Sequence, residues 1–263
     1  MRRRQFLLSA ALVAGCKGTL CAQSAIPIPN GSFEGPSTTF VNTNIDSWQK
    51  TPQPADYHAS SGYQWYQLAG VFDNTAPDQP DHIYNLDGDQ AAYVFADPKV
   101  GLFQDYNSFG DDSTATSHEF NATFAVGQSF TLTVGVNGGG GNMTEGAQLL
   151  IALYYRDGQG NMVTVAGTDV VYTPAAFPVH TLMYDYQATT SLVQASDPWA
   201  GQNIGILIYS DSPDAIVPGG YWDVDNVRLY SAIPEPTSLG LMALGAASLL
   251  SQRRRGHRAT WLP

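Results

Sequence analysis

Phe130-Thr131-Leu132-Thr133-Val134-Gly135-Val136 alternates apolar with small or polar side chains at period two, which predicts a β-strand with one buried face. Ala147 to Arg156 and Met162 to Tyr172 predict two more strands. They are joined by Asp157-Gly158-Gln159-Gly160-Asn161, whose glycines supply the positive φ that a hairpin loop needs. Ile204 to Tyr209 and Tyr221 to Tyr230 add further strands, and Tyr63 to Leu68, Gln90 to Ala96 and Leu102 to Tyr106 read as shorter ones separated by Asp, Asn, Pro and Gly. Between the two ends no stretch sustains a helical period, no internal repeat occurs, and no linker divides the chain. The pattern therefore predicts one all-β domain over residues 25–231, an antiparallel β-sandwich with long loops in its first half.

Two short apolar runs flank this body. Arg2 to Arg4 precede Phe6 to Ala14, a run too short to span a bilayer, and small residues follow, so residues 1–24 read as an export signal. Arg3-Arg4-Gln5-Phe6-Leu7 suits twin-arginine export, and three arginines suit an ordinary Sec signal equally. Cleavage is expected after Ala22 or Ser24, while Val13-Ala14-Gly15-Cys16 resembles a lipoprotein box that would leave a lipidated Cys16. Both cysteines, Cys16 and Cys21, belong to this leader, so cleavage beyond Cys21 leaves no thiol chemistry.

At the other end Leu239 to Leu250 measures only about 18 Å as a helix, against a hydrocarbon core of roughly 30 Å. Residues 232–263 order Pro234-Glu235-Pro236, this apolar run, and then Arg253-Arg254-Arg255. That tripartite order resembles the PEP-CTERM sorting signal of bacterial exported proteins. The resemblance implies a transient stay in the inner membrane with the arginines cytoplasmic, processing near Pro-Glu-Pro by an exosortase, and delivery to the cell envelope, surface or extracellular matrix. Gly256 to Pro263 runs further past the arginines than is usual, and a plain C-terminal anchor is the alternative.

Charge narrows the partners. Eight of the 12 basic residues are terminal, leaving Lys50, Lys99, Arg156 and Arg228 to face 22 of the 23 acidic residues. So negative a body repels nucleic acid and attracts divalent cations. Gly138 to Gly141 lies ahead of a strand rather than a helix N-terminus, so it reads as a flexible hairpin loop and not as a phosphate cradle. His58, His82, His118 and His180 are scattered without metal-ligand spacing, and no serine sits in a nucleophile elbow. Acid pairs such as Asp111-Asp112 could serve glycoside chemistry in principle, and solvated turns explain them as well.

One constellation joins the ends of the body. Asn30-Gly31-Ser32-Phe33-Glu34-Gly35, with Trp48 soon after, stands at its start, and Gly220-Tyr221-Trp222-Asp223-Val224-Asp225-Asn226-Val227-Arg228-Leu229 at its close. Trp222 and Val224 share one face of the last strand, yet Val227 and Leu229 fall on the opposite phase, so a bulge at Asp225-Asn226 is expected. An NGSFE-type first strand with a YWDVDNVRL-type last one resembles the carbohydrate-binding-module-like, galactose-binding-like jelly rolls. Asp87-Gly88-Asp89-Gln90-Ala91-Ala92 and Gly101-Leu102-Phe103-Gln104 resemble their middle section. The resemblance implies a structural Ca²⁺ linking first and last strands through Glu34 and Asp225, hard oxygen ligands suited to that ion; ordinary turn acids are the other reading. It also implies sugar binding, for which Tyr63, Trp65, Tyr66 and Tyr84 crowd one region and offer flat apolar faces with polar handles. A core role for Trp65, with the tyrosines capping a sheet edge, is the alternative.

Together these features predict an exported, non-enzymatic, calcium-stabilised jelly roll that binds carbohydrate, with polysaccharide and the sorting machinery as partners. A structural surface protein without a small ligand is the second expectation, and a glycoside-active enzyme the third.

Overall fold

The computed structural model describes residues 21–57, 62–106, 120–212 and 220–234. Among these the chain forms β1 (Cys21–Ile26), β2 (Val41–Asn42), β3 (Gln49–Lys50), β4 (Ala69–Asp73), β5 (Gln90–Phe95) and β6 (Gly101–Gln104) in its first half. The second half adds β7 (Ser129–Gly140), β8 (Gln148–Arg156), β9 (Met162–Val171), β10 (Tyr184–Thr189), β11 (Gly205–Ser210) and β12 (Tyr221–Pro234). Gln23–Ile233 forms one unit; Met1–Ala22 with Pro234–Pro263 forms a second, nearly all of it outside the described residues.

Two sheets face each other. The first runs β10-β7-β12-β5-β4-β2, with β1 also on β12, and the second runs β3-β6-β11-β8-β9. Neighbours along each path pair antiparallel, and the architecture is the expected antiparallel sandwich. The alternation in β7 sends Phe130, Leu132, Val134 and Val136 inward, where they meet Leu149, Ile151 and Leu153 of β8 and Ile206 and Ile208 of β11 in one core. Trp222 and Val224 of β12 are fully buried there, as are Phe33 and Trp48 from the opening motif. Each such side chain contributes about 1.5–3 kcal/mol over exposure.

The bulge lies where the phase slip requires it. The register of β12 on β7 shifts between Asp225 and Arg228, Asn226 takes a φ of 52°, and Val227 and Leu229 return to the core. Three expectations change. Tyr63 to Leu68 is no strand: Trp65–Gln67 forms a 3-10 turn, because Trp65 and Leu68, three apart, both enter the core, and the strand starts only at Ala69. The NGSFE motif is a turn after β1 rather than a strand, with Asn30 and Phe33 at positive φ and the Val227 N–H donating to the Gly31 carbonyl at 2.8 Å. Gly138 to Gly140 continue β7 instead of forming a loop. A Cβ at Gly138 would stand 2.8 Å from the Trp222 ring and one at Gly140 2.4 Å from the Tyr221 ring, so glycine lets the aromatics of β12 lie across the strand.

Candidate functional site

With Trp222 and Val224 pointing inward, period two turns Tyr221, Asp223 and Asp225 to the outer face of the first sheet. Asp223 occupies the middle of that sheet, opposite Tyr93 of β5 on one side and Asn137 of β7 on the other. It is only 4 % exposed. Its Oδ2 accepts a hydrogen bond from Asn137 Nδ2 at 3.1 Å, and the same nitrogen donates to the His180 carbonyl at 2.7 Å, so both amide hydrogens are committed and the carboxyl is held in place. Asp223 Oδ1 is buried and has no hydrogen-bond partner among the described residues. Burial pushes the Asp223 carboxyl up to about 7, and the Asn137 hydrogen bond pulls the other way.

Aromatic rings line the face beside this acid. Tyr221 is opposite Phe95 in register, with ring centroids 6.1 Å apart; Tyr93 is 6.0 Å from Phe95, and Tyr63 continues the row at 5.3 Å from Phe95. Gly70 gives Tyr93 its room, since a Cβ there would lie 2.6 Å from the Tyr93 hydroxyl oxygen. Burial, and secondarily Tyr63, pushes the Tyr93 phenol up to about 12, and burial then Asp223 raises that of Tyr221. Both phenols therefore stay neutral at pH 7, while Asp223 is divided between acid and carboxylate. This is a proton donor of matched affinity next to π faces that favour positive charge.

Two residues further along β12, Asp225 is 0 % exposed, and its Oδ2 accepts the Asp87 N–H at 2.6 Å. Glu34 reaches the same loop from the opposite end of the domain, its Oε1 accepting the Asp89 and Gln90 N–H groups at 2.9 and 2.8 Å. Gly88, at φ 112°, makes the approach possible, because a Cβ would stand 2.3 Å from Glu34 Oε1. Asp225 Oδ1 is buried and has no hydrogen-bond partner among the described residues. Its carboxyl is pushed up to about 8, first by burial and then by the charges of Asp87 and Glu34, against hydrogen bonds from the Asp87 and Asn226 backbone. An orphaned buried oxygen among neighbouring carboxylates fits a hard divalent cation. Among the described residues, however, no group of three or more His, Cys, Asp or Glu side chains surrounds it. Glu34, Asp225 and backbone carbonyls would have to hold the ion.

The four rings expected to bind sugar separate. Trp65 is 9 % exposed, its indole N–H spent on the Thr51 carbonyl at 2.7 Å, so it is a core residue and no platform. Tyr63 and Tyr66 are about half exposed, Tyr63 stacking on the row at Phe95. Tyr84 is exposed on another loop, edge-on to His82 with centroids 4.7 Å apart. Pro234 ends β12, whereas Glu235, Pro236, Arg253, Arg254 and Arg255, like Asp111 and Asp112, lie outside the described residues.

Asp223, Tyr93, Phe95 and Tyr221 form a candidate site that the sequence did not single out. The final motif carried no signal of it: with Trp222 and Val224 inward, alternation puts Asp223 on the outer face, and its burial comes from the neighbouring strands that bring Tyr93 and Asn137 beside it. A cavity of about 190 Å³ does exist elsewhere, lined by Asp105, Tyr154, Arg156, Gly201, Gln202 and Asn203 beside the second sheet. The surroundings of Asp223 differ from it in setting a buried carboxyl of raised proton affinity beside a row of aromatic rings.

Comparison with known proteins identifies the family of the domain and the sorting motif that follows it. Residues 24–230 match the HpiC1-like family, described as HpiC1 cyclase, and residues 232–255 match the PEP-CTERM protein-sorting motif. A comparison with curated proteins gives no match. Among solved structures, a cyclase from Fischerella sp. TAU is 21 % identical with a TM-score of 0.56, covering 82 % of this chain and 100 % of its own. A Stig cyclase from the same organism, in complex with (3Z)-3-(1-methyl-2-pyrrolidinylidene)-3H-indole, is 22 % identical with a TM-score of 0.53 over 81 % of this chain and 99 % of its own. A third structure, of a cyclase from Fischerella sp. TAU in complex with 4-(1H-indol-3-yl)butan-2-one, is 20 % identical with a TM-score of 0.52, covering 79 % of this chain and 97 % of its own. At such identities the likeness is one of fold. The family match overturns the expectation of a non-enzymatic module, since the matched family is one of cyclases. The sorting motif marks the protein for export to the cell envelope or surface and implies exosortase-type machinery as a partner.

Proposed function

Because the chain belongs to the HpiC1-like cyclase family, we propose that it is an exported cyclase whose Asp223 starts ring closure by protonating an unsaturated substrate with an indole-type aromatic part. One observation carries the reading: a buried carboxyl held by Asn137, with its other oxygen unengaged, beside Tyr93, Phe95 and Tyr221. The step is balanced without a co-reactant. The Asp223 O–H bond breaks as a C–H bond forms on the substrate, the resulting cation closes a ring by forming a C–C bond to a second π system, and the proton then lost returns to the Asp223 carboxylate. The net change is isomerisation. Ring faces along the row stabilise the intermediate positive charge, each by about 0.5–2 kcal/mol, and exclude water that would quench it.

The indole compounds held by two of the Fischerella cyclases support the substrate class. Calcium at Glu34 and Asp225 belongs to this proposal as a structural ion that pins the opening turn to the last strand and supplies positive charge to Asp225. A polysaccharide partner belongs to it as surroundings rather than as substrate. Calorimetric titration of the exported protein with 4-(1H-indol-3-yl)butan-2-one tests the site. Saturable binding, weakened about tenfold by Phe95→Ala or Tyr221→Ala, is expected. Absence of binding, or binding blind to both variants, would contradict the substrate class.

A further inference from the structure

Beside the second sheet, on the face turned away from the core, the ends of β6, β8 and β11 converge on the cavity of about 190 Å³. Its floor is built. Tyr154, 0 % exposed, lies flat across the start of β11, where a Cβ on Gly205 would stand 2.2 Å from its ring. Its hydroxyl donates to Asp105 Oδ2, and Arg156 Nε donates to the same oxygen at 2.9 Å while the guanidinium covers the rings of Phe103 and Tyr154 at 5.6 and 5.9 Å. Arg156 Nη1 donates to the Gly160 carbonyl at 2.8 Å. The wall is Gly201-Gln202-Asn203, backbone-bonded to Phe124 and Trp199, with Gly201 at φ 74°.

We propose that this cavity is a second binding site, independent of the cyclase reading, that takes a neutral polyhydroxylated ring, one sugar unit of a polysaccharide. Size is the first argument. The volume holds about six waters at ~30 Å³ each, well under the roughly 300–1,000 Å³ of a site for a drug-sized ligand. Charge is the second. Arg156 is neutralised by Asp105 inside the site, and the body around it is strongly acidic, so an anion finds neither a free cation among the described lining residues nor a favourable field. Chemistry is the third. The carboxamides of Gln202 and Asn203 each offer donor and acceptor together, the complement of hydroxyl groups that do the same. Phe103 and Tyr154 are covered by Arg156, which leaves hydrogen bonding rather than ring stacking as the source of affinity.

The test is a calorimetric titration of the exported protein with D-glucose, D-galactose and D-mannose and their short oligosaccharides, with D-galacturonic acid and inorganic phosphate alongside. Saturable binding of at least one neutral sugar is expected, about tenfold weaker in Gln202→Ala and Asn203→Ala, which alter only the cavity wall. Both variants should melt and bind indole compounds like the wild type. No neutral sugar binding up to the solubility limit, preference for the acid or phosphate, or sugar binding untouched by both substitutions would overturn the site.

Discussion

Asp223 occupies a position where a carboxylate is costly: mid-sheet, 4 % exposed, with one hydrogen bond from Asn137. Its proton leaves near pH 3.8 in the unfolded chain and near 7 in the folded one. Between those values the folded state holds more protons, so stability falls as pH rises, by about 1.4 kcal/mol per pH unit. Below pH 3.8 the group costs nothing, and above 7 the whole cost is present. Asp225 acts with the same sign up to about pH 8. The expected outcome is that, in chelator, Asp223→Asn melts at the wild-type temperature near pH 4 and above it at pH 8. Parallel melting curves across that range would show that Asp223 is not a buried acid of raised proton affinity.

At the scale of elements, β12 carries the proposed acid Asp223 and one end of the candidate ion site on the same face, and the bulge after Asp225 separates both from the core contacts of Val227 and Leu229. Calcium shared by Glu34 and Asp225 would bind only the folded state. At a hundred times its dissociation constant it should stabilise by about 2.7 kcal/mol. Because the ion needs the ionised carboxyl, the gain should grow as pH rises towards 8. Glu34→Gln should remove most of it without preventing folding. Identical melting temperatures in calcium and chelator would remove the ion and leave both carboxylates as acceptors for the backbone N–H groups of the Asp87–Gln90 loop.

The same strand shows what was legible in the sequence. The slip in apolar phase between Val224 and Val227 announced the bulge, and the alternation in Phe130 to Val136 announced β7, because both patterns are set by a single buried face. The strand β10 was not legible: Tyr184-Asp185-Tyr186-Gln187 has no aliphatic residue, and its tyrosines only border the core. The proposed acid was less legible than the proposed ion site. Glu34 and Asp225 stood out through a resemblance, whereas Asp223 acquires its raised proton affinity only from what two neighbouring strands place around it, Tyr93 and Asn137, more than eighty residues away along the chain.

For the whole molecule, export sets a condition on the chemistry. The sorting motif at residues 232–255 directs the protein to the envelope or surface, and a proton-triggered isomerisation consumes no nucleotide or reductant there. Last strand and sorting signal are continuous, β12 ending at Pro234 of Pro-Glu-Pro. The central claim is that the exported domain closes a ring with Asp223 as its acid. It is tested most directly by following turnover of an unsaturated indole substrate between about pH 5 and 9, for the exported protein and for Asp223→Asn. The account predicts wild-type activity that declines above about pH 7 as the carboxyl loses its proton, and a loss of about 10²–10⁴-fold in the variant with its fold retained. Ring closure by Asp223→Asn at the wild-type rate, or a wild-type rate that rises through pH 7, would contradict it.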